Sequence, residues 1–159
     1  MKHSATHNPL SQTPAQTSEA TQAAASEEPV ATVLNDLQIW DFIREMRFVR
    51  LATIGEDGFP YVSPINVVSD GQHIYFRTAA GAKLTQLLLN PQVTVQAERI
   101  EMGRATTINA FCQAAMVTDS QEIEHILSLK LAPWLDTEKL EFVRMTPVKL
   151  TGRRFRIGK

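Results

Sequence analysis

The sequence contains a single cysteine, Cys112, so no internal disulfide can form, and a reducing compartment, the cytoplasm, is the expected location. The lone thiol reads as a small buried hydrophobe rather than a nucleophile. Neither sign of charge dominates: 16 Lys and Arg stand against 17 Asp and Glu, for a net charge of -1. Such a balance gives no bulk electrostatic drive toward nucleic acid or an anionic membrane. No apolar run approaches the length of a membrane span. The triphosphate-loop pattern Gly-x-x-x-x-Gly-Lys-Ser/Thr is missing, as is the Gly-x-Gly-x-x-Gly of dinucleotide folds, and there is no internal repeat. With 43% hydrophobic and 21% charged residues, the composition is that of one soluble domain with an ordinary core.

Residues 1–34 are rich in Ala, Ser, Thr and Gln and read as a disordered leader ahead of a domain spanning 35–159. Lys2 is not followed by the apolar block that a secretory signal needs. His3 and His7 have helical spacing, but with no third ligand they read as solvated imidazoles, and no metal is expected.

Asn35 followed by Gln38 is a capping-box pattern, and Leu37, Ile39, Trp40, Phe42, Ile43 and Met46 supply the apolar face of a helix of about three turns. Two β-prone runs follow, Phe48 to Ile54 and Tyr61 to Val68, joined through Asp57-Gly58, a strong hairpin signal. A second turn, Ser69-Asp70-Gly71, leads to a third run, His73 to Thr78. A short helix from Ala82 to Leu89 stops at Asn90-Pro91 and gives way to a strand from Val93 to Arg99. Residues 105–117 alternate poorly, which suggests a strand with a bulge. Asp119 and Glu122 repeat the capping-box spacing for a helix to about Leu131, and Phe142 to Ile157 supplies one or two further strands. The crossovers are too short for βαβ units, so a closed or nearly closed antiparallel barrel is expected.

One stretch of this pattern points to an anion. Arg77 sits at the exit of the third strand, Ala79-Ala80-Gly81 permit close approach to the backbone, and Lys83 falls in the first turn of the next helix. A cation there opposes the helix dipole unless an anion offsets it, and a phosphate is the natural partner. Solvated surface charges are the competing reading. Pro64 interrupts the second strand, which marks an edge or a bulge, and the backbone beside it, at Ser63, Ile65 and Asn66, could meet the polar rim of a planar ligand.

Taken in order, "RLATIGEDGFPYVSPI", "IYFRTAAGAKLTQLLLNPQVTV" and "FVRMTPVKLTGRRF" resemble the FMN-binding split-barrel family, the pyridoxamine 5'-phosphate oxidase-like flavoproteins. The resemblance covers about residues 36–157 and is weakest from Met102 to Met116. It implies a mainly β fold with short helices, a six-stranded antiparallel split β-barrel, and a homodimer with cofactor at the subunit interface. It assigns Arg77, Thr78 and Lys83 to the FMN phosphate, with Leu84 close by, and makes Ser63, Pro64, Ile65 and Asn66 neighbours of the flavin ring. Arg50, Gln96 and Trp134 are further cofactor-binding candidates by the same resemblance. The Arg-x-His arrangement with which pyridoxamine phosphate oxidases grip their substrate is replaced here by Gly152-Arg153-Arg154-Phe155, so vitamin B6 oxidation is not expected.

The function implied is electron transfer from a reduced nicotinamide through FMN to a small organic acceptor. A deazaflavin coenzyme on the same cations is one alternative, and a non-catalytic flavin or haem binder is another. Haem would call on His73 or His125, although both read more readily as structural. The basic end, with Lys149, Arg153, Arg154, Arg156 and Lys159, alternates with Phe155 and Ile157 and reads as a strand with one solvated face rather than a nucleic-acid surface.

Overall fold

The computed structural model describes residues 29–131 and 140–158. In chain order these form β1 (Ala31–Val33), α1 (Asp36–Glu45), β2 (Phe48–Ile54), β3 (Pro60–Asn66), β4 (Val68–Ser69), β5 (Ile74–Thr78), α2 (Ala82–Leu89), β6 (Gln92–Glu101), β7 (Arg104–Val117), α3 (Ser120–Ser128) and β8 (Glu141–Arg156). The strands make one antiparallel sheet in the order β3-β2-β6-β7-β8-β5-β4, with β1 added on β8. The outermost strands β3 and β4 are joined only by Val67, so the two ends of the sheet are tied together and the sheet must curl. This is the expected split barrel, with β3 brought against β5 across the opening.

Among the described residues eight strands are present rather than six, and both additions are short. The run expected from Tyr61 to Val68 divides at Val67, whose amide donates to Arg47 O (3.0 Å), and its tail becomes β4 on the far side of the opening. β1 lies inside the stretch read as leader. It pairs with Arg153–Phe155, and Leu34, 5% exposed, joins the core. A three-residue strand on the free edge of β8 needs backbone partners more than an apolar pattern, which is why composition gave no sign of it.

Local chemistry explains the remaining boundaries. The capping box is complete: the Gln38 amide donates to Asn35 Oδ1 (2.9 Å) and the Asn35 amide to Gln38 Oε1 (3.0 Å). At α3 the Glu122 amide donates to Asp119 Oδ2 (2.9 Å), and the helix ends at Ser128, before the expected Leu131. Gly58 turns the first hairpin with φ 79°. The expected bulge exists, but the extra residue is Val148 on β8, next to Pro147, which has no amide hydrogen for the ladder; β7 runs opposite it across Phe111 and Cys112.

The inner face of the sheet is closed by α1 and α2. Ile39, Phe42 and Ile43 of α1 and Leu84 and Leu87 of α2 pack with Val49, Leu51, Phe76, Val95, Ile108 and Met145 in the main core. Each fully buried side chain of this size contributes about 1.5–3 kcal/mol. Cys112 lies in this core, and burial pushes its thiol up to about 12, which suits an inert hydrophobe. A second cluster, Val68, Tyr75, Val117, Ile126 and Leu131, seats α3 on the opposite side of β5. No helix among the described residues is long and apolar enough to cross a membrane.

Candidate cofactor-binding site

Alternation along β5 sends Ile74 and Phe76 into the main core and Tyr75 into the α3 cluster. Arg77 therefore leaves on the α3 side and Thr78 on the α2 side. The Arg77 guanidinium stacks 4.8 Å from the centroid of Phe142, the residue opposite it on β8. Its Nε is buried without a hydrogen-bond partner, the one such side-chain polar atom among the described residues. A buried guanidinium donor left unpaired costs free energy that an acceptor brought from outside would recover.

The chain then turns through Gly81 into α2. Gly81 is the N-cap with φ 159° and ψ -167°, backbone open to glycine, and nothing lies within 4 Å of where a Cβ would stand. No side chain caps the helix, and its first turn holds no acidic residue. Thr85 donates its amide (3.0 Å) and its hydroxyl (3.1 Å) back to Gly81 O, so the first helical amides point outward with no intrahelical acceptor. Lys83 sits in this turn, half-buried, and desolvation lowers its pKa. Leu84 anchors the turn in the core. The Thr78 hydroxyl is spent locally on Ala79 O (3.2 Å). An uncapped helix start, a desolvated ammonium and an orphaned guanidinium donor, close together in the chain, are each features that an oxyanion would satisfy.

The other expected residues divide between two faces. Register places Pro64, Arg50 and Gln96 in one row across β3, β2 and β6 on the outer face of the sheet. Arg50 Nη1 donates to Gln96 Oε1 (3.3 Å) and to Glu98 Oε1 (3.0 Å), and Gln96 Nε2 donates to Thr107 Oγ1 (3.4 Å). Ser63 and Ile65 lie opposite Leu51 and Val49, so they face inward, and Ile65 is buried in the core. The stretch Ser63–Asn66 thus cannot offer all four side chains to one planar ligand. What it can offer is its backbone edge, since β3 pairs with β2 alone, and Pro64 is the edge proline its position suggested. Trp134 lies outside the described residues. Phe142 as the platform for Arg77 had no local signal; only the register of β8 against β5 reveals it.

His73 and His125 belong to a separate network. Asp70 Oδ2 accepts from the Tyr75 hydroxyl (3.1 Å) and lies 3.2 Å from His125 Nε2 and 3.5 Å from His73 Nδ1. Asp70 Oδ1 accepts from the amides of His73 (2.7 Å) and Gln72 (2.9 Å). Burial works against ionisation of Asp70, yet the His73 and Gln72 amides, then His125 and Tyr75, outweigh it and hold the carboxyl down at about 2. Ionised Asp70 therefore favours the fold. Its contribution is complete above its ordinary value of 3.8 and is lost as the pH falls toward 2. Asp70→Asn is expected to cost on the order of 1 kcal/mol at pH 7, after allowance for solvent screening, and nearly nothing at pH 2, as read by urea unfolding at the two pH values.

Residues 35–154 match the family described as pyridoxamine 5'-phosphate oxidase. The chain belongs to this family. Among solved structures, the FAD binding protein of Mycobacterium smegmatis superimposes with a TM-score of 0.70 at 29% identity, over 80% of this chain and 100% of that one. A FAD-binding protein from Mesorhizobium loti superimposes with a TM-score of 0.71 over 79% of this chain and 99% of that one; at 23% identity the likeness speaks for the fold alone. An uncharacterized protein of Mycobacterium tuberculosis strain CDC 1551 is 31% identical over 88 residues, 55% of this chain and 80% of the relative. Gly152 is packed under Ile39, Arg153 lies opposite Thr107, and Arg154 donates to Thr106, so these residues serve the barrel wall here.

Proposed function

We propose that this protein is an FMN-binding flavoprotein that moves electrons from a reduced nicotinamide to a small organic acceptor in the cytoplasm. The observation that carries the reading is the buried, unpartnered Nε of Arg77 at the exit of β5, followed a few residues on in the chain by the uncapped start of α2 with the desolvated Lys83. Lys83 and the outward amides of α2 would hold the flavin phosphate, with Arg77 closing on it from its seat on Phe142. The edge of β3 at Ser63–Asn66 would run beside the ring system. A bound flavin supplies the electron-carrying chemistry, which leaves the chain to bind, orient and exclude water. FAD is a second reading, since it carries the same phosphate next to its ribityl chain and the Mycobacterium smegmatis relative is named for it.

The functional unit we propose is a homodimer with the flavin at the subunit interface. Supporting it is an apolar groove of about 520 Å3 on the outer face, lined by Ala52, Ile54, Pro60, Phe111 and Val148 among others, beside the row of Pro64, Arg50 and Gln96. Val62 and Val148, 62% and 70% exposed, leave a surface whose burial against a second copy would be favourable. Haem is disfavoured because His73 and His125 are both turned to Asp70.

Native mass spectrometry of the purified protein, with an absorbance spectrum and mass analysis of whatever denaturation releases, tests the reading in one preparation. A dimer that carries two FMN or FAD molecules and shows a flavin spectrum is the expected result. Release of a deazaflavin would move the chemistry to that coenzyme. A protein that takes up none of the three after titration would refute the assignment.

A further inference from the structure

Thr53 and Thr106 are the buried polar residues among those described. Thr53, 3% exposed, continues the inward row of β2 set by Val49 and Leu51, both core residues. Its hydroxyl donates to Oε1 of Gln86 on α2 (2.7 Å). A valine would suit the same strand position and bring no polar atom that needs a partner. What the hydroxyl adds is direction.

α2 has little else to fix its orientation. It is eight residues long, too short to hold itself as an isolated helix, and no side chain caps its start. Leu84 and Leu87 seat it in the core, but apolar contact is non-directional and lets a helix roll. Just past its C-terminal end the chain is tied to the sheet, where the Ala114 amide donates to Pro91 O (2.8 Å); among the described residues no backbone bond ties its first turn to the sheet. A hydrogen bond weakens steeply when it is bent, so the one from Thr53 to Gln86 fixes the roll of the helix about its axis. Residues three apart share a helix face. The roll that brings Gln86 onto Thr53 therefore also sets the direction in which the half-buried Lys83 leaves α2.

We propose that Thr53 and Gln86 are positioning residues for the flavin phosphate, and that the hook between β2 and α2 aims Lys83 and the first amides of the helix. The inference rests on the reading of the start of α2 as the phosphate site, and adds to it a control on affinity from the inner face of the sheet. Thr53 drew no notice in the sequence because threonine is an ordinary residue in a β-prone run. Only its contact with a helix well downstream gives it this part.

The test titrates FMN into the full chain and its variants, with binding read by fluorescence quenching and folding by urea unfolding. Thr53→Val should unfold near the wild-type midpoint yet bind FMN roughly two- to tenfold more weakly per folded molecule, the range that one net hydrogen bond commands. Thr53→Ser, which restores the hydroxyl, should return wild-type affinity. Gln86→Leu should weaken binding to the same extent, and adding Thr53→Val to it should change nothing further. In a Lys83→Met background Thr53→Val should cost less affinity than in wild type, because the side chain that the hook aims is gone. Wild-type affinity in Thr53→Val and Gln86→Leu, beside weakened binding in Lys83→Met, would overturn this inference and leave the phosphate site standing. Wild-type affinity in all of them, Lys83→Met included, would remove the phosphate site and the inference with it. A loss in Thr53→Val that Thr53→Ser does not restore would make Thr53 a packing residue only, which likewise overturns the proposal. Should Thr53→Val fail to fold, Gln86→Leu, at a half-buried position, decides the question by the same comparison with Lys83→Met.

Discussion

Replacing Arg77 with alanine is expected to weaken flavin binding by about 1.5–3 kcal/mol, roughly ten- to a hundredfold, because a charge-assisted bond to phosphate is worth about that much. Part of any loss could come from the stack on Phe142, so Arg77→Lys is the informative companion: it keeps the charge and removes the buried Nε. It should recover only a fraction of the affinity. Lys83→Met is expected to weaken binding to a similar extent while moving stability the other way. Desolvation lowers the pKa of Lys83, so its charged form is a burden on the empty fold, and that burden is present at neutral pH and relieved as the pH rises through the folded pKa. The methionine variant should therefore melt higher than wild type without flavin at pH 7. A bound phosphate reverses the preference and favours the ammonium, so flavin affinity should fall as the medium is made alkaline enough to discharge Lys83. Equal flavin affinity in wild type, Arg77→Ala and Lys83→Met, measured by fluorescence quenching, would remove the assignment of this receptor.

What the sequence made legible follows from the range of the interactions involved. Asn35 with Gln38, the Asp57-Gly58 turn and the stop at Asn90-Pro91 are decided within a few residues, and each falls where local chemistry put it. Arg77 and Lys83 suggested an anion site by the same short-range route, since strand exit, small residues and helix start are contiguous in the chain. The misses all needed partners distant in sequence. β1 exists because β8 has a free edge there, and β4 exists because the curled sheet carries Val68 across the opening. The bulge at Val148 depends on how Pro147 registers against Cys112, and poor alternation in β7 was only its echo. Ser63, Pro64, Ile65 and Asn66 formed one group in the sequence, but a pleated strand has two faces. Two of the four belong to the inward side, and Ile65 to the core.

Gly152→Val is expected to be the most damaging single change in the barrel, at about 3 kcal/mol or more. A Cβ at this position would stand 2.9 Å from Ile39 Cγ1 and 3.2 Å from both Ile39 Cδ1 and Ile108 Cγ2. Ile39 and Ile108 are 1% and 0% exposed, so neither has open space to move into. Overpacking of this kind commonly costs 1–3 kcal/mol for small additions, and a branched side chain adds two methyl groups beyond the Cβ. The damage would reach further than one contact. Gly152 O accepts from the Leu34 amide (2.9 Å), so displacing α1 from β8 also pulls on the link that joins β1 to the core. The milder Gly152→Ala should cost about 1–3 kcal/mol, and pairing it with Ile39→Ala, which removes the colliding Cγ1 and Cδ1, should cost less than the sum of the single changes. Urea unfolding of the four proteins measures that difference. A strictly additive pair would mean that α1 is held away from β8 in solution and that Gly152 is not the seat of the helix. Flavin affinity per folded molecule should stay unchanged in Gly152→Ala, because Phe142, on which Arg77 stacks, and the exit of β5 lie at the other end of β8.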